Sequence, residues 1–181
     1  MRSLLIRTVV LATITLAATT YVANVQATPA SGFTGSTLAM GRFGDIDVSN
    51  HQFLEDDGAR DASGHRHFKN LWLSFQKTKS ASDLYVQSNV WQPGGTTGWH
   101  THPGHSLIIV TAGTVTAYEG DDRRCRPHVY TAGMGFVDEG GDHVHVIRNE
   151  GAIEARTIAV QLIPAGADRR ADGAPNLVCG F

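Results

Sequence analysis

Two histidine-containing segments decide the fold of this chain. Residues 94–104 read Gly-Gly-Thr-Thr-Gly-Trp-His-Thr-His-Pro-Gly, and residues 140–149 read Gly-Gly-Asp-His-Val-His-Val-Ile-Arg-Asn. In each segment two histidines stand two positions apart, which in an extended strand places both imidazoles on one face. Two such strands that converge inside a small barrel would bring three or four imidazoles together.

The rest of the chain after residue 68 is a series of short segments rich in β-branched and aromatic residues and bounded by Gly, Pro, Asp or Asn. This pattern is typical of strands in a β-sandwich or small barrel. No amphipathic helix of ten or more residues is visible there. If Ser106 faces inward, Ile108 and Val110 share its face. The predicted strands are 71–75, 83–91, 107–111, 114–118, 136–137, 143–147 and 157–163.

Composition limits the class of protein. The 181 residues are enough for one domain with a substantial core. Lys and Arg total 15 against 17 Asp and Glu, so the formal net charge is −2. This balance argues against a nucleic-acid partner, which would require a basic surface.

The amino terminus has the layout of a secretory signal peptide. Arg2 and Arg7 precede an apolar stretch over residues 9–18, and Val25-Gln26-Ala27 matches a small-x-small cleavage site. The apolar stretch is shorter than the roughly 20 residues of a membrane-spanning helix, so a membrane anchor is the less favoured alternative. We predict a cleaved peptide over residues 1–27 and a secreted or periplasmic protein with no membrane span in the mature chain.

Export changes the interpretation of the two cysteines. Cys125 and Cys179 are the only cysteines of the chain, and neither belongs to a CxxC pair. In an oxidising compartment such a pair predicts a disulfide, here one that ties the carboxyl end to the body of the domain. The alternative is a metal-binding or reactive thiol, but neither cysteine has His or Cys at ligand spacing.

The first histidine segment resembles the first motif of the cupin superfamily. Gly94, the pair His100 and His102, and Gly113 keep the spacing of that motif. In the second segment His145 and Asn149 keep the family's His-x-x-x-Asn spacing. The Trp-His-x-His-Pro-Gly and His-Val-His segments are also similar to those of small exported single-domain bacterial cupins.

The resemblance implies an all-β, double-stranded β-helix of the jelly-roll type in a single domain. It also implies one divalent metal ion held by His100, His102 and His145, with Fe, Ni, Cu, Mn or Zn as candidates. We expect four parts in the chain: the signal peptide 1–27, an arm over 28–66 with one strand at Phe43–Val48, the barrel over 67–165, and the disulfide-stapled tail 166–181.

One position departs from the family pattern. Cupins of the common type carry a Glu ligand four residues after the second histidine, and Ser106 stands there in this chain. A serine hydroxyl is too short and too weak a ligand to replace it. The site is then three histidines with water, or three histidines with His143 as a further ligand. His105 is a candidate pocket residue.

Two acidic residues precede the second histidine segment. Asp138 and Glu139 are expected in an exposed turn, where acidic side chains are usually solvated. The alternative is a role as general base, or as a hydrogen-bond partner of a ligand histidine.

The sequence leaves three classes of protein open. Three neutral imidazoles leave a divalent ion with open positions, which suits a dioxygenase first, and a lyase or hydrolase next. The alternative is a non-catalytic module that binds a metal or a small ligand, and a metal-free scaffold is a third possibility. The expected partner is a small molecule, and a homodimer is expected from fold analogy alone.

Overall fold

The computed structural model describes residues 28–53, 56–60, 62, 64, 66–68 and 71–181. Of residues 53, 56–59, 66–68 and 71 it describes the backbone only. The predicted signal peptide, residues 1–27, lies outside the described residues. Within them no helix has the length and apolar character needed to cross a membrane.

The described residues form fourteen β-strands and no helix. The strands, in chain order, are β1 (Ser31–Phe43), β2 (Asp47–Phe53), β3 (Asp56–Arg60), β4 (Arg66–Phe68), β5 (Leu71–Lys77), β6 (Ser82–Thr96), β7 (His100–Thr101), β8 (Ser106–Ala112), β9 (Thr114–Glu119), β10 (His128–Thr131), β11 (Gly135–Asp138), β12 (His145–Arg148), β13 (Ala155–Pro164) and β14 (Ala171–Asp172).

Ten of these strands form one antiparallel sheet that curls into a nearly closed barrel. Its main path runs β10-β9-β12-β6-β13-β8-β11, with β1 added on β6, β7 beside β12, and β14 beside β7. The rings of Tyr130 and Phe136, on the two end strands, stack with 4.2 Å between their centroids. The chain is therefore an all-β protein of the double-stranded β-helix, or jelly-roll, architecture. β2 with β5, and β3 with β4, form two small sheets of their own.

Alternation along the strands separates two apolar clusters. On β8 the inward side chains Ser106, Ile108 and Val110 are buried, as expected, while the residues between them are exposed. On β12, Ile147 belongs to the barrel core with Trp91, whereas Val146 points the other way. Residues of the inner cluster are Trp91, Ile108, Val110, Val115, Ala117, Ile147, Ala155 and Ala159.

The outer cluster anchors the carboxyl-terminal tail. Trp99 and Val146 are buried there against the Cys125–Cys179 disulfide, which the structure contains as predicted. The Trp99 Nε1–H donates to the carbonyl oxygen of Phe181 at 3.3 Å. β14, in the same tail, pairs with β7 and places Asp172 beside His100.

The predicted strand at Phe43–Val48 is wrong. These residues span the break between β1 and β2. β1 is instead a strand of 13 residues that pairs with β6 from Ser31 to Phe43. Its sequence contains three glycines and no regular apolar alternation, and most of its side chains are exposed. The strand depends on backbone hydrogen bonds to β6, a long-range partner that local sequence does not reveal.

Candidate metal centre

Three histidines meet inside the barrel. They are His100 on β7, His102 in the turn after β7, and His145 on β12. His100 on β7 lies directly opposite His145 on β12 in the strand register, and His102 follows two residues after His100. One ring nitrogen from each lies within 4.8 Å of the other two. The centroids of His100 and His145 are 4.4 Å apart, and His102 lies 4.8 and 5.6 Å from them.

Backbone carbonyls fix the orientation of two of these rings. His100 Nδ1 lies 2.9 Å from the carbonyl oxygen of Gly98, and His102 Nδ1 contacts that of Arg169. Because a carbonyl only accepts, each Nδ1 carries a proton, so in the neutral ring each Nε2 presents a lone pair. His145 Nε2 is buried without a hydrogen-bond partner in the protein. Three nitrogens that present lone pairs in this way are a donor set suited to a divalent transition metal.

Asp138 adds a carboxylate to the three imidazoles. Its Oδ2 lies 3.1 Å from His102 Nε2, and its Oδ1 lies 3.5 Å from His145 Nδ1. The His102 Nδ1–H donates to the Arg169 carbonyl, so Nε2 of the neutral ring presents a lone pair to a carboxylate oxygen. These two groups repel each other unless a cation or a second proton lies between them. This contact fits a metal ion at the same point.

Asp138 is therefore not the solvated turn residue expected from the sequence. It lies at the end of β11, is 7% exposed, and accepts the Gly140 N–H at 3.1 Å. Glu139, the next residue, does point outward and lies 3.1 Å from His143.

Burial controls the ionisation of the centre. Burial first, and then the charges of His145, His102 and Arg170, lowers the pKa of His100 to about 2. Burial also lowers the pKa of His145, against the opposing charge of Asp138. Burial of Asp138 opposes its ionisation, but its contacts with His102 and His145 outweigh that effect and hold the pKa of the carboxyl below its ordinary value. Burial thus holds His100 and His145 in the neutral form, which is the form that binds metals.

A cavity of about 230 Å³ opens beside the triad. Such a volume is smaller than a pocket for a drug-sized ligand. Trp91, Ile108 and Ala159 form its apolar part. Gln87, Asn89, Gln161, Arg169 and Arg170 add polar groups. The sequence did not single out these two arginines, because they follow the last barrel strand and reach the site only through the fold of the tail.

Two of the proposed extra site residues, His143 and His105, do not line the cavity beside the triad. His143 is 54% exposed, pairs with Glu139, and lines a second cavity of about 320 Å³ that Asp138 and His145 also line. It falls in the turn before β12, so the period-two argument does not apply to it. His105 lines a separate surface pocket with Leu162 and Pro164, because the Pro103-Gly104 bend turns it away from the triad.

Ser106 does face the centre. It is 2% exposed and lines the cavity beside the triad. Across the sheet its neighbours are Asp138 on β11 and Gln161 on β13. The residue that sequence reasoning undervalued is therefore Asp138, and the signal that would have found it is the strand register.

Fold and site together define a cupin-type barrel with a three-histidine centre. The family model described as a cupin domain matches residues 90–161, which include all three histidines and Asp138. The match makes this part of the chain similar to a cupin domain and leaves the residues outside 90–161 unmatched. No curated protein matches the chain.

Solved structures similar to this chain include three of related architecture. A protein with a double-stranded β-helix domain from Klebsiella pneumoniae has 22% identity over 50% of this chain and 74% of its own, with a TM-score of 0.42. A cupin superfamily protein from Desulfitobacterium hafniense has 14% identity over 44% and 67%, with a TM-score of 0.39. An oxalate oxidase in complex with glycolate has 22% identity over 45% of each chain, with a TM-score of 0.39. The chain spans less than half the length of that oxidase.

Proposed function

We propose that this protein is a metal-dependent cupin that acts on a small organic molecule, with a dioxygenase reaction as the favoured activity. The observation that carries the proposal is the buried, partnerless Nε2 of His145 beside the two imidazoles that Gly98 and Arg169 orient. In this proposal His100, His102 and His145 hold one divalent ion, and the Asp138 carboxylate completes the ligand set.

The candidate ions are Fe, Ni, Cu, Mn and Zn, since imidazole binds all of them. When bound, such an ion supplies Lewis-acid polarisation or, as iron, a centre for oxygen chemistry.

The protein's own residues prepare the centre for such an ion. The carbonyls of Gly98 and Arg169 hold the Nδ1–H groups of two imidazoles, so in the neutral rings the Nε2 atoms are the ones that can bind an ion. The Asp138 oxygens balance positive charge at the centre. Trp91, Ile108 and Ala159 limit the water around a small substrate, which strengthens electrostatic interactions there.

Elemental analysis tests this proposal directly. We expect about one equivalent of a divalent transition metal in the exported, untagged protein and in His143→Ala, the matched control outside the triad. The His100→Ala/His145→Ala variant should hold none above background. A folded wild-type protein that neither contains nor takes up an ion would contradict the metal centre.

Activity separates an enzyme from a binding module. An enzyme predicts oxygen uptake or product formation that His100→Ala abolishes while the fold survives. Ligand-induced stabilisation without turnover would instead indicate the non-catalytic module.

We also propose that the protein is exported and forms a homodimer. The Cys125–Cys179 disulfide supports export, and mass spectrometry of the mature protein would locate a cleavage after Ala27. β1 supports a dimer, because among the described strands it pairs only with β6 and exposes Leu38 and Met40. Light scattering on the purified protein would show twice the chain mass, and a monomer would contradict the dimer.

A further inference from the structure

The cavity beside the triad contains a positive charge that has no acidic partner. Arg169 lines this cavity, and its guanidinium makes two hydrogen bonds, both to neutral groups: Nε–H to Gln161 Oε1 at 3.3 Å and Nη1–H to Thr37 Oγ1 at 3.0 Å. It also lies over the ring of Tyr85, 4.6 Å from its centroid. Among the described residues no carboxylate forms an ion pair with it.

The neighbouring arginine shows the contrast. Arg170 lines the same cavity, but its guanidinium lies 2.9 Å from the Asp172 carboxylate and donates to the carbonyl oxygen of Thr97. Its charge is compensated, and each of its three nitrogens has an acceptor. The two adjacent arginines therefore have different roles. Arg170 connects the tail to the barrel, whereas Arg169 has an uncompensated charge and N–H donors that can bind another molecule.

The cavity contains a further unused polar group. The indole Nε1–H of Trp91 is buried without a hydrogen-bond partner, and Trp91 lines the same cavity at 1% exposure. A buried donor without a partner is costly unless something binds it. A divalent ion beside the Asp138 carboxylate already leaves a net positive charge, and the unpaired Arg169 increases it, which favours an anion.

We infer that the small molecule taken by this centre is an organic carboxylate, and that Arg169 selects it through its unpaired guanidinium. Guanidinium and carboxylate match in charge and in hydrogen-bond geometry. The cavity of about 230 Å³ limits the molecule to a small one. This inference rests on the proposed function, since it names the substrate class of the same site.

Titration calorimetry on the zinc-loaded full-length mature protein tests the inference. The probes are propionate and its neutral isostere propionamide, with inorganic phosphate as a second anion. We expect propionate to bind more tightly than propionamide. In Arg169→Gln the affinity for propionate should fall on the order of 10- to 100-fold, as for loss of a charged hydrogen bond, with propionamide binding unchanged. Arg169→Lys should restore part of the preference, and Arg156→Gln should keep it, because Arg156 lies outside the cavity and pairs with Glu154 on the surface.

The outcomes distinguish this inference from the metal centre. Metal content is measured on every sample, and the Arg169 variants should keep about one equivalent because the backbone carbonyl that orients His102 is unchanged. If metal is bound but carboxylate and amide bind equally, or Arg169→Gln keeps the preference, the carboxylate inference is wrong while the metal centre stands. Tighter binding of phosphate than of propionate would also overturn it. A wild-type protein without metal contradicts the proposed function, and this inference with it.

Discussion

Asp138 lies directly opposite Ser106 in the antiparallel pair of β8 and β11, and both side chains are buried beside the histidine triad. Ser106 occupies the position where the common cupin pattern has a glutamate ligand. A carboxylate nevertheless lies beside the triad on the strand that pairs with β8, where Asp138 Oδ2 lies 3.1 Å from His102 Nε2.

This relationship predicts that Asp138→Asn weakens metal binding. The amide keeps the size of the side chain but removes the charge, and changes of this kind around a metal lower affinity on the order of 10- to 100-fold. Competition with a metal chelator would measure the dissociation constant. Glu139→Gln is the matched control, because Glu139 is exposed and pairs with His143 instead. Equal affinities of Asp138→Asn and wild type would exclude a role for this carboxylate.

The stability of the metal-free protein should fall in acid. The pKa of His100 is lowered from 6.5 to about 2 in the folded state, chiefly by burial. Between these values the unfolded chain binds a proton at His100 that the folded protein does not. The free energy of unfolding therefore decreases as the pH falls below 6.5, and this group has no effect well above that value. His145 acts in the same direction.

Urea denaturation of the metal-free protein at a series of pH values would measure this dependence. His100→Gln should flatten the curve between pH 6.5 and the onset of carboxylate protonation, whereas His128→Gln, at an exposed position, should not. An identical pH dependence in wild type and His100→Gln would rule out the buried neutral histidine as its cause.

In the turn that joins Asp138 to His145, Gly141 should tolerate an added methyl group and Gly140 should not. Gly140 and Gly141 both have positive φ, 68° and 63°. A Cβ on Gly140 would collide with the backbone of Gly104, while a Cβ on Gly141 meets nothing within 4 Å. Gly140→Ala must displace the loop, and Gly141→Ala bears only the cost of backbone strain, about 1–2 kcal/mol.

Thermal melting and metal content of the two variants check this expectation. Gly140→Ala should lose more stability than Gly141→Ala and should also bind metal more weakly, because the displaced loop carries Asp138. Equal losses in the two variants would show that positive φ alone, rather than the contact with Gly104, sets the cost.

The sequence predicted the barrel well because its evidence was local. Alternation along β8 and the histidine pairs depend on neighbouring residues alone, so the inward face of Ser106, Ile108 and Val110 and the meeting of His100 with His145 could be anticipated. The role of Asp138 could not, because it depends on the register between β8 and β11. The position of Arg169 at the cavity could not be predicted from the sequence pattern either, because long-range contacts bring the tail back to the barrel.

The Cys125–Cys179 disulfide should contribute to the free energy of unfolding by holding the carboxyl-terminal tail on the barrel. Cys125 and Cys179 are separated by 54 positions, so closing this loop restricts the unfolded chain and stabilises the fold by about 4 kcal/mol on the loop-entropy model. The same bond packs against Trp99, whose indole donates to the last carbonyl of the chain. Cys125→Ser/Cys179→Ser should therefore lower the free energy of unfolding by a similar amount, and a reducing agent should do the same to wild type.

Urea denaturation with and without the reducing agent measures both effects, with the double variant as its own control because it should not respond to reduction. Metal affinity should fall as well, since the tail supplies the Arg169 carbonyl that orients His102 and the strand β14 that pairs with β7. Thiol titration of the unreduced wild type should find no free thiol. Two titratable thiols there, or a reducing agent without effect on wild type, would mean that packing alone holds the tail in place.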